Sequence, residues 1–175
     1  MSDSLAAVDG WLRDHASTDR DLEPQELADL AGELAGRPDL WRQVVRHDAD
    51  QRRYVRLRRD HHLEVWVLCW MPTQDTGLHD HDLSGGAVRV VEGRICEDRM
   101  VLGSLQLDST EYAAGQSFCF DASRIHNVRH SGDGPATSLH LYSPPLWRMG
   151  YYETGEDGRL SRRAATYLEE LGPAA

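Results

Sequence analysis

From about residue 52 to 146 the chain is a succession of short apolar or alternating runs cut by glycine, and this punctuation limits its fold more than any other feature. Tyr54-Val55-Arg56-Leu57-Arg58 alternates, and Leu63–Trp70 is a nearly continuous run rich in Val, Leu and Trp. Further strand candidates cover 86–91, 94–100, 102–107, 117–120 and 136–142. Gly77, Gly85-Gly86, Gly93, Gly103, Gly115 and the Gly132–Gly134 segment separate them. Many short strands divided by turn residues predict an all-β sandwich or barrel.

The first quarter reads differently. Leu5, Val8, Trp11 and Leu12 recur at helical spacing after Ser4, a candidate N-cap. Leu27, Leu30, Ala31 and Leu34 repeat that pattern after Pro24, and a third short helix carries Leu40, Trp41, Val44 and Val45 after Pro38. The expectation is one domain over 1–175, with a helical N-terminal flank over 1–50 packed against a mainly β core over 52–146. The tail reads two ways. Asp157-Gly158 suits a hairpin turn, whereas Ala164, Ala165, Tyr167, Leu168 and Leu171 suit a helix.

Charge and composition exclude several roles. The net charge of −10 should repel polyanions, so neither nucleic acid nor an anionic membrane is an expected partner. No apolar stretch approaches the roughly 20 residues of a membrane span, and the first residues lack a signal peptide's basic and apolar regions. Cys69, Cys96 and Cys119 are widely spaced and odd in number, which fits reduced thiols in the cytoplasm. A monomer or weak homo-oligomer is expected.

Nine histidines are present, and most have ordinary explanations. His15 and His47 fall in helical surface segments, and the consecutive His61 and His62 would point opposite ways on a strand. His79-Asp80-His81 differs, because residues i and i+2 of an extended segment project to one face and can meet one ion. Gly86 and Gly93 follow it, and Gly115-x5-Asp121-x-Ser123-x2-His126-x3-His130 brings a third candidate ligand from another strand.

These two blocks resemble the paired motifs of the cupin superfamily, which implies a jelly-roll-like β-barrel with the N-terminal helices packed against it. His79, His81 and His126 match the three histidine positions, and Gly93 and Gly115 match glycine positions. Gly86 replaces the usual glutamate ligand, Asp121 and Ser123 replace a proline and a glycine, and His130 replaces an asparagine. Thr73 stands where many cupins have a leading glycine. Three neutral imidazoles would leave a divalent ion its full charge and roughly three open positions, which suits an anionic thiolate and O2 at Fe(II). Ligand type alone equally admits Zn or Ni.

Ser138-Leu139-His140-Leu141-Tyr142-Ser143-Pro144-Pro145 resembles the signature of the cysteine dioxygenase family. Leu68-Cys69-Trp70 and Tyr54-Val55-Arg56 resemble further segments of it. The resemblance covers about 52–146. It implies an Fe(II) enzyme that oxidises L-cysteine with O2 to cysteine sulfinic acid, without nucleotide, flavin or 2-oxo acid. It also implies roles: Ser138, His140 and Tyr142 form a hydrogen-bonded line at the iron, and Arg56, assisted by Tyr54, grips the substrate carboxylate. Animal members link a cysteine to that tyrosine. Here the position is Gly86, so Tyr142 is expected to be unmodified. A dioxygenase for another small thiol, such as 3-mercaptopropionate, and a non-catalytic ligand-binding cupin are the alternatives.

Overall fold

A computed structural model describes residues 2–16, 19–101, 106–155 and 159–166. Three helices come first: α1 (Ser2–His15), α2 (Pro24–Ala35) and the one-turn α3 (Pro38–Trp41), which runs into a 3-10 turn over Arg42–Val44. Pro24 opens α2, and the Glu26 carboxylate accepts the Glu23 N–H at 2.9 Å, closing the first turn on itself. The buried face of α2 is Leu27, Leu30, Ala31 and Leu34, the stripe expected of an amphipathic helix. Helix α1 begins at Ser2, so Ser4 lies within it and does not cap it. His47 is not helical. Its Nε2 lies 3.0 Å from the Ala136 carbonyl, tying the N-terminal flank to the sheet.

Eleven strands follow among the described residues: β1 (Arg53–Arg59), β2 (Glu64–Trp70), β3 (His79–Asp80), β4 (Gly85–Glu92), β5 (Arg94–Met100), β6 (Leu107–Ala113), β7 (Ser117–Phe120), β8 (His126–Ser131), β9 (Ala136–Ser143), β10 (Arg148–Thr154) and β11 (Leu160–Thr166). They form a five-stranded sheet, β1-β2-β9-β4-β7, and a six-stranded sheet, β11-β10-β3-β8-β5-β6. Every pairing is antiparallel.

Residue alternation explains why β2 reads as continuously apolar. Val65, Val67 and Cys69 join the helices in one core, while Trp66, Leu68 and Trp70 join Val88, Ile95, Phe118 and Val128 in a second core between the sheets. A strand buried on both faces loses the polar half of its pattern. β9 is likewise buried along its whole length, with Leu139 and Leu141 turned to the helices. Fully burying each such leucine contributes about 1.5–3 kcal/mol. The Arg58 guanidinium, 2.6 Å from Asp9, and the Ser143 hydroxyl, 2.8 Å from the Leu22 N–H, dock the helical flank onto this sheet.

One strand reading needs correction, and the open reading of the tail is resolved. The strand in the 102–107 region is β6, Leu107–Ala113, and residues 102–105 lie outside the described set. β6 is an exposed edge strand, so it carries no apolar signal. The end of the described chain is a hairpin, since β10 and β11 pair from Arg148↔Thr166 to Thr154↔Leu160. Ala164 and Ala165 are therefore strand residues. Asp157-Gly158 and residues 167–171 lie outside the described set. Among the described residues no helix is long and apolar enough to cross a membrane.

Candidate metal centre

β3 is only two residues long, but it lies between β10 and β8, and its register sets His79 directly opposite His126. His81 follows immediately, before the chain turns at Asp82 with φ 56°. One ligand atom from each of His79, His81 and His126 lies within 4.8 Å of the others. The His79 and His81 Nε2 atoms are 3.2 Å apart. All three rings are buried.

Hydrogen bonds settle how two of these rings present themselves. His79 Nδ1 donates to the Gly77 carbonyl at 2.9 Å, and His126 Nδ1 donates to the Glu97 carboxylate at 2.8 Å. The Nε2 atoms are thereby turned toward one another, and that of His126 is buried with no hydrogen-bond partner. Burial, and then the neighbouring His126, pull His79 down to about 3. Burial, and then His79 and His126, pull His81 well below its ordinary value. Three buried ring nitrogens converging on one point fit a divalent cation; without one, His126 Nε2 has no hydrogen-bond partner.

Charged residues hold the ligands from behind. Glu97 on β5 also accepts from Arg124 at 3.0 Å. Asp80, between the two histidines, accepts from Arg162 at 2.7 and 2.9 Å and from Tyr152 at 2.6 Å, so the end hairpin clamps the His79–His81 turn. The sequence reading missed both carboxylates. Their signal was faint, because the register that brings each acid to its partners is legible only in the folded sheet.

On the opposite sheet, Ser138, His140 and Tyr142 share the inner face of β9. Trp70 Nε1 donates to Ser138 Oγ at 2.9 Å, Ser138 Oγ lies 2.8 Å from His140 Nε2, and His140 Nδ1 lies 3.2 Å from the Tyr142 hydroxyl. The direction that gives the buried Ser138 O–H an acceptor in this line runs from Trp70 toward Tyr142. With Ser138 accepting from Trp70, its own O–H donates to His140 Nε2, and His140 Nδ1–H donates to Tyr142. Burial holds His140 at about 3, hence neutral with a single N–H, and holds Tyr142 above its ordinary range, hence protonated. The Tyr142 O–H is left to point into the cavity.

Gly86 has a steric reason. It pairs with Phe120 on one side and Tyr142 on the other, and a Cβ here would sit 2.5 Å from the Phe120 ring. That ring stacks on His81 with centroids 4.8 Å apart. Phe120 therefore fills the space that a glutamate or cysteine at position 86 would need. The three cysteines are free thiols.

A cavity of about 40 Å³, room for roughly three waters, separates the two groups. His79, His126, His140 and Tyr142 line it, and so does Arg52, which the sequence reading did not name. Tyr54 and Arg56 are not among the lining residues. Tyr54 packs edge-on against Trp66, with ring centroids 5.8 Å apart. Arg56 lies over the Trp66 ring at 5.7 Å and 3.8 Å from the buried Glu64 carboxylate.

Two packed antiparallel sheets around three inward histidines define a protein of the cupin type. An uncharacterised double-stranded β-helix protein from Klebsiella pneumoniae shares the fold at TM-score 0.51 and 16% identity, covering 69% of this chain and 91% of that one. A cupin superfamily protein from Desulfitobacterium hafniense does so at TM-score 0.50 and 9% identity, covering 59% and 86%. More specifically, the profile of the cysteine dioxygenase type I family matches residues 3–154, and the chain belongs to that family. Cysteine dioxygenase type 1 of Danio rerio is 29% identical over 137 residues, 71% of this chain and 67% of that protein. The Homo sapiens enzyme is 28% identical over 122 residues, 62% and 59% respectively. The matched segment thus spans about three fifths to two thirds of these relatives.

Proposed function

We propose that this chain is an Fe(II)-dependent thiol dioxygenase that oxidises L-cysteine with O2 to cysteine sulfinic acid. The observation that carries the reading is a small cavity with His79 and His126, two of the three converging histidines, on one side and the hydrogen-bonded line ending at Tyr142 on the other. Membership of the cysteine dioxygenase type I family supports it.

Bound between His79, His81 and His126, Fe(II) would supply adjacent open positions for a thiolate and for O2 and the electron exchange between them. The reaction balances without any other reductant: the thiolate sulfur gives up four electrons, O2 takes four, and both oxygens end on sulfur. The chain's own residues orient the reactants. Tyr142 donates its O–H into the cavity, His140 and Ser138 hold that proton in one direction, and Trp70 anchors the line. Phe120, Val88, Leu68 and Leu146 make the remaining walls apolar and exclude bulk water. The free thiols of Cys69, Cys96 and Cys119 agree with a reducing compartment, the cytoplasm.

O2 consumption by Fe(II)-loaded protein with cysteine, with the sulfinate identified as product, tests the reading. No uptake with any thiol would leave a ligand-binding role instead. One observation favours a second substrate: no carboxylate lines the cavity among the described residues, so a substrate ammonium finds no anionic partner. Turnover of 3-mercaptopropionate, which lacks the amine, decides between them.

A further inference from the structure

Of the three converging histidines, His81 is the one whose ring has no hydrogen bond behind it. His79 Nδ1 meets the Gly77 carbonyl and His126 Nδ1 meets the Glu97 carboxylate, whereas His81 Nδ1 is buried with no hydrogen-bond partner. Stacking on Phe120 limits the tilt of the His81 ring. Its position is left to the backbone of residues 80–82.

That backbone is gripped from outside the cavity. Strand alternation turns Asp80 away from the inner face, onto the side shared by Gly150, Tyr152 and Arg162. Arg162 on β11 reaches across the middle strand, β10, and meets Asp80 side-on: Nε donates to Oδ2 at 2.7 Å and Nη2 to Oδ1 at 2.9 Å. Asp80 Oδ1 also accepts the Asp82 N–H at 2.9 Å, so the carboxylate that Arg162 holds closes the turn around His81. Arg148 on β10 holds Asp82 in turn, at 3.1 Å.

The crossing needs a gap in β10, and Gly150 supplies it. Gly150 lies opposite Asp80 on one side and Ala164 on the other, and a Cβ there would sit 2.5 Å from the Arg162 Cζ. Its φ is not left-handed, so the arginine accounts for this glycine and the backbone does not. Arg162 also lies past residue 154, where the match to the cysteine dioxygenase type I family ends. The grip is read from this fold and not from the family.

We propose that Arg162, passing over Gly150, is a positioning residue for the metal centre: its fork fixes Asp80, and through the Asp80–Asp82 turn it fixes His81. This rests on the metal site within the proposed function and not on the identity of the thiol. Charge and position give opposite signs. On charge alone, Arg162→Gln removes a cation and should tighten binding of a divalent ion, and Arg162→Lys should leave it unchanged. On position, both should weaken it, because neither side chain supplies the planar fork that holds two carboxylate oxygens.

Competition between the protein and a chelator for Zn(II), without any turnover, tests the proposal. Arg162→Lys and Arg162→Gln should each weaken Zn(II) binding roughly tenfold. Gly150→Ala keeps every charge and should do the same by displacing Arg162. In an Arg162→Ala background the added Cβ meets no guanidinium, so Gly150→Ala should cost nothing further; losses that simply add would overturn the crossing. The absorption bands of Co(II)-loaded protein follow ligand geometry and should shift in Arg162→Lys, the mildest variant, which decides if the others fold poorly. Arg162→Lys that binds Zn(II) as tightly as wild type, or Arg162→Gln that binds it more tightly, overturns the proposal and leaves the metal site standing. Wild-type Zn(II) binding that His126→Ala does not diminish would overturn the metal site and this proposal with it.

Discussion

The six-stranded sheet fixes its cavity residues with charge, whereas the five-stranded sheet fixes its own with neutral hydrogen bonds. Behind His126 stands Glu97, itself held by Arg124, and beside His79 and His81 stands Asp80, held by Arg162 and Tyr152. Behind Tyr142 stand His140, Ser138 and Trp70, on strands whose other face is covered by the helices. The difference matches two tasks. A divalent cation gains from a carboxylate behind its ligand, which orients the imidazole and raises its basicity. A tyrosine that must remain a donor gains from a buried neutral line, which keeps it protonated and aims its one hydrogen.

Removing a ligand should have the largest effect. His126→Ala should lose both bound iron by elemental analysis and O2 uptake after Fe(II) loading. Undiminished iron in that variant would place the ion elsewhere and dissolve the contrast between the sheets. Next comes the contrast itself. Glu97→Gln should weaken metal binding about 10–100-fold in competition with a chelator, while Ser138→Ala leaves it unchanged. Equal losses in the two variants would show that the sheets do not divide the work.

A smaller effect sharpens the other half. Tyr142→Phe keeps the ring and loses the donor, and should lower kcat roughly tenfold with little change in iron content or cysteine KM. Ser138→Ala, which removes the neutral hydrogen bonds to Trp70 and to His140 but leaves the Tyr142 hydroxyl in place, should lower kcat only roughly fivefold. A larger loss from Ser138→Ala than from Tyr142→Phe would contradict the direction of the line.

The smallest effect is on stability. His140 stays neutral in the fold because burial pulls it from 6.5 to about 3, but it takes up a proton once unfolded. The unfolded chain then binds more protons, so this contribution is complete above about pH 6.5 and is lost as pH falls toward about 3. His140→Gln should therefore make the denaturant midpoint fall less steeply than in the wild type between about pH 7 and pH 5. An unchanged slope would mean that His140 is not neutralised by burial.

How much of this was legible depended on whether a strand's neighbours reinforced its own pattern. β2 and β9 could be read because both faces are buried and their apolar content is high. β8 alternates, but its inward residues include His126 and His130, so no apolar stripe marks it. β10 was passed over too, since much of its length is only partly buried and it pairs with an equally polar neighbour. Gly93 was legible as a turn, and the reason is local: φ is 68°, and a Cβ would meet the Pro135 carbonyl at 2.4 Å.

What the sequence determined alone is what depends on short-range spacing. The i, i+2 rule puts His79 and His81 together, and Ser138, His140 and Tyr142 on one face, whatever surrounds them. The stripe of α2 follows from helical period in the same way. Tertiary structure decided what depends on which distant groups meet. It brought Glu97 to His126 across 29 residues, Arg162 to Asp80 across 82, and Trp70 to Ser138 across 68. Sheet register sets Glu64 opposite Arg59, with Arg56 3.8 Å from the same carboxylate, while Arg52 lies over the Trp70 ring and lines the cavity. Local periodicity sets a side chain's face, but a charge goes where the folded chain has placed its partner.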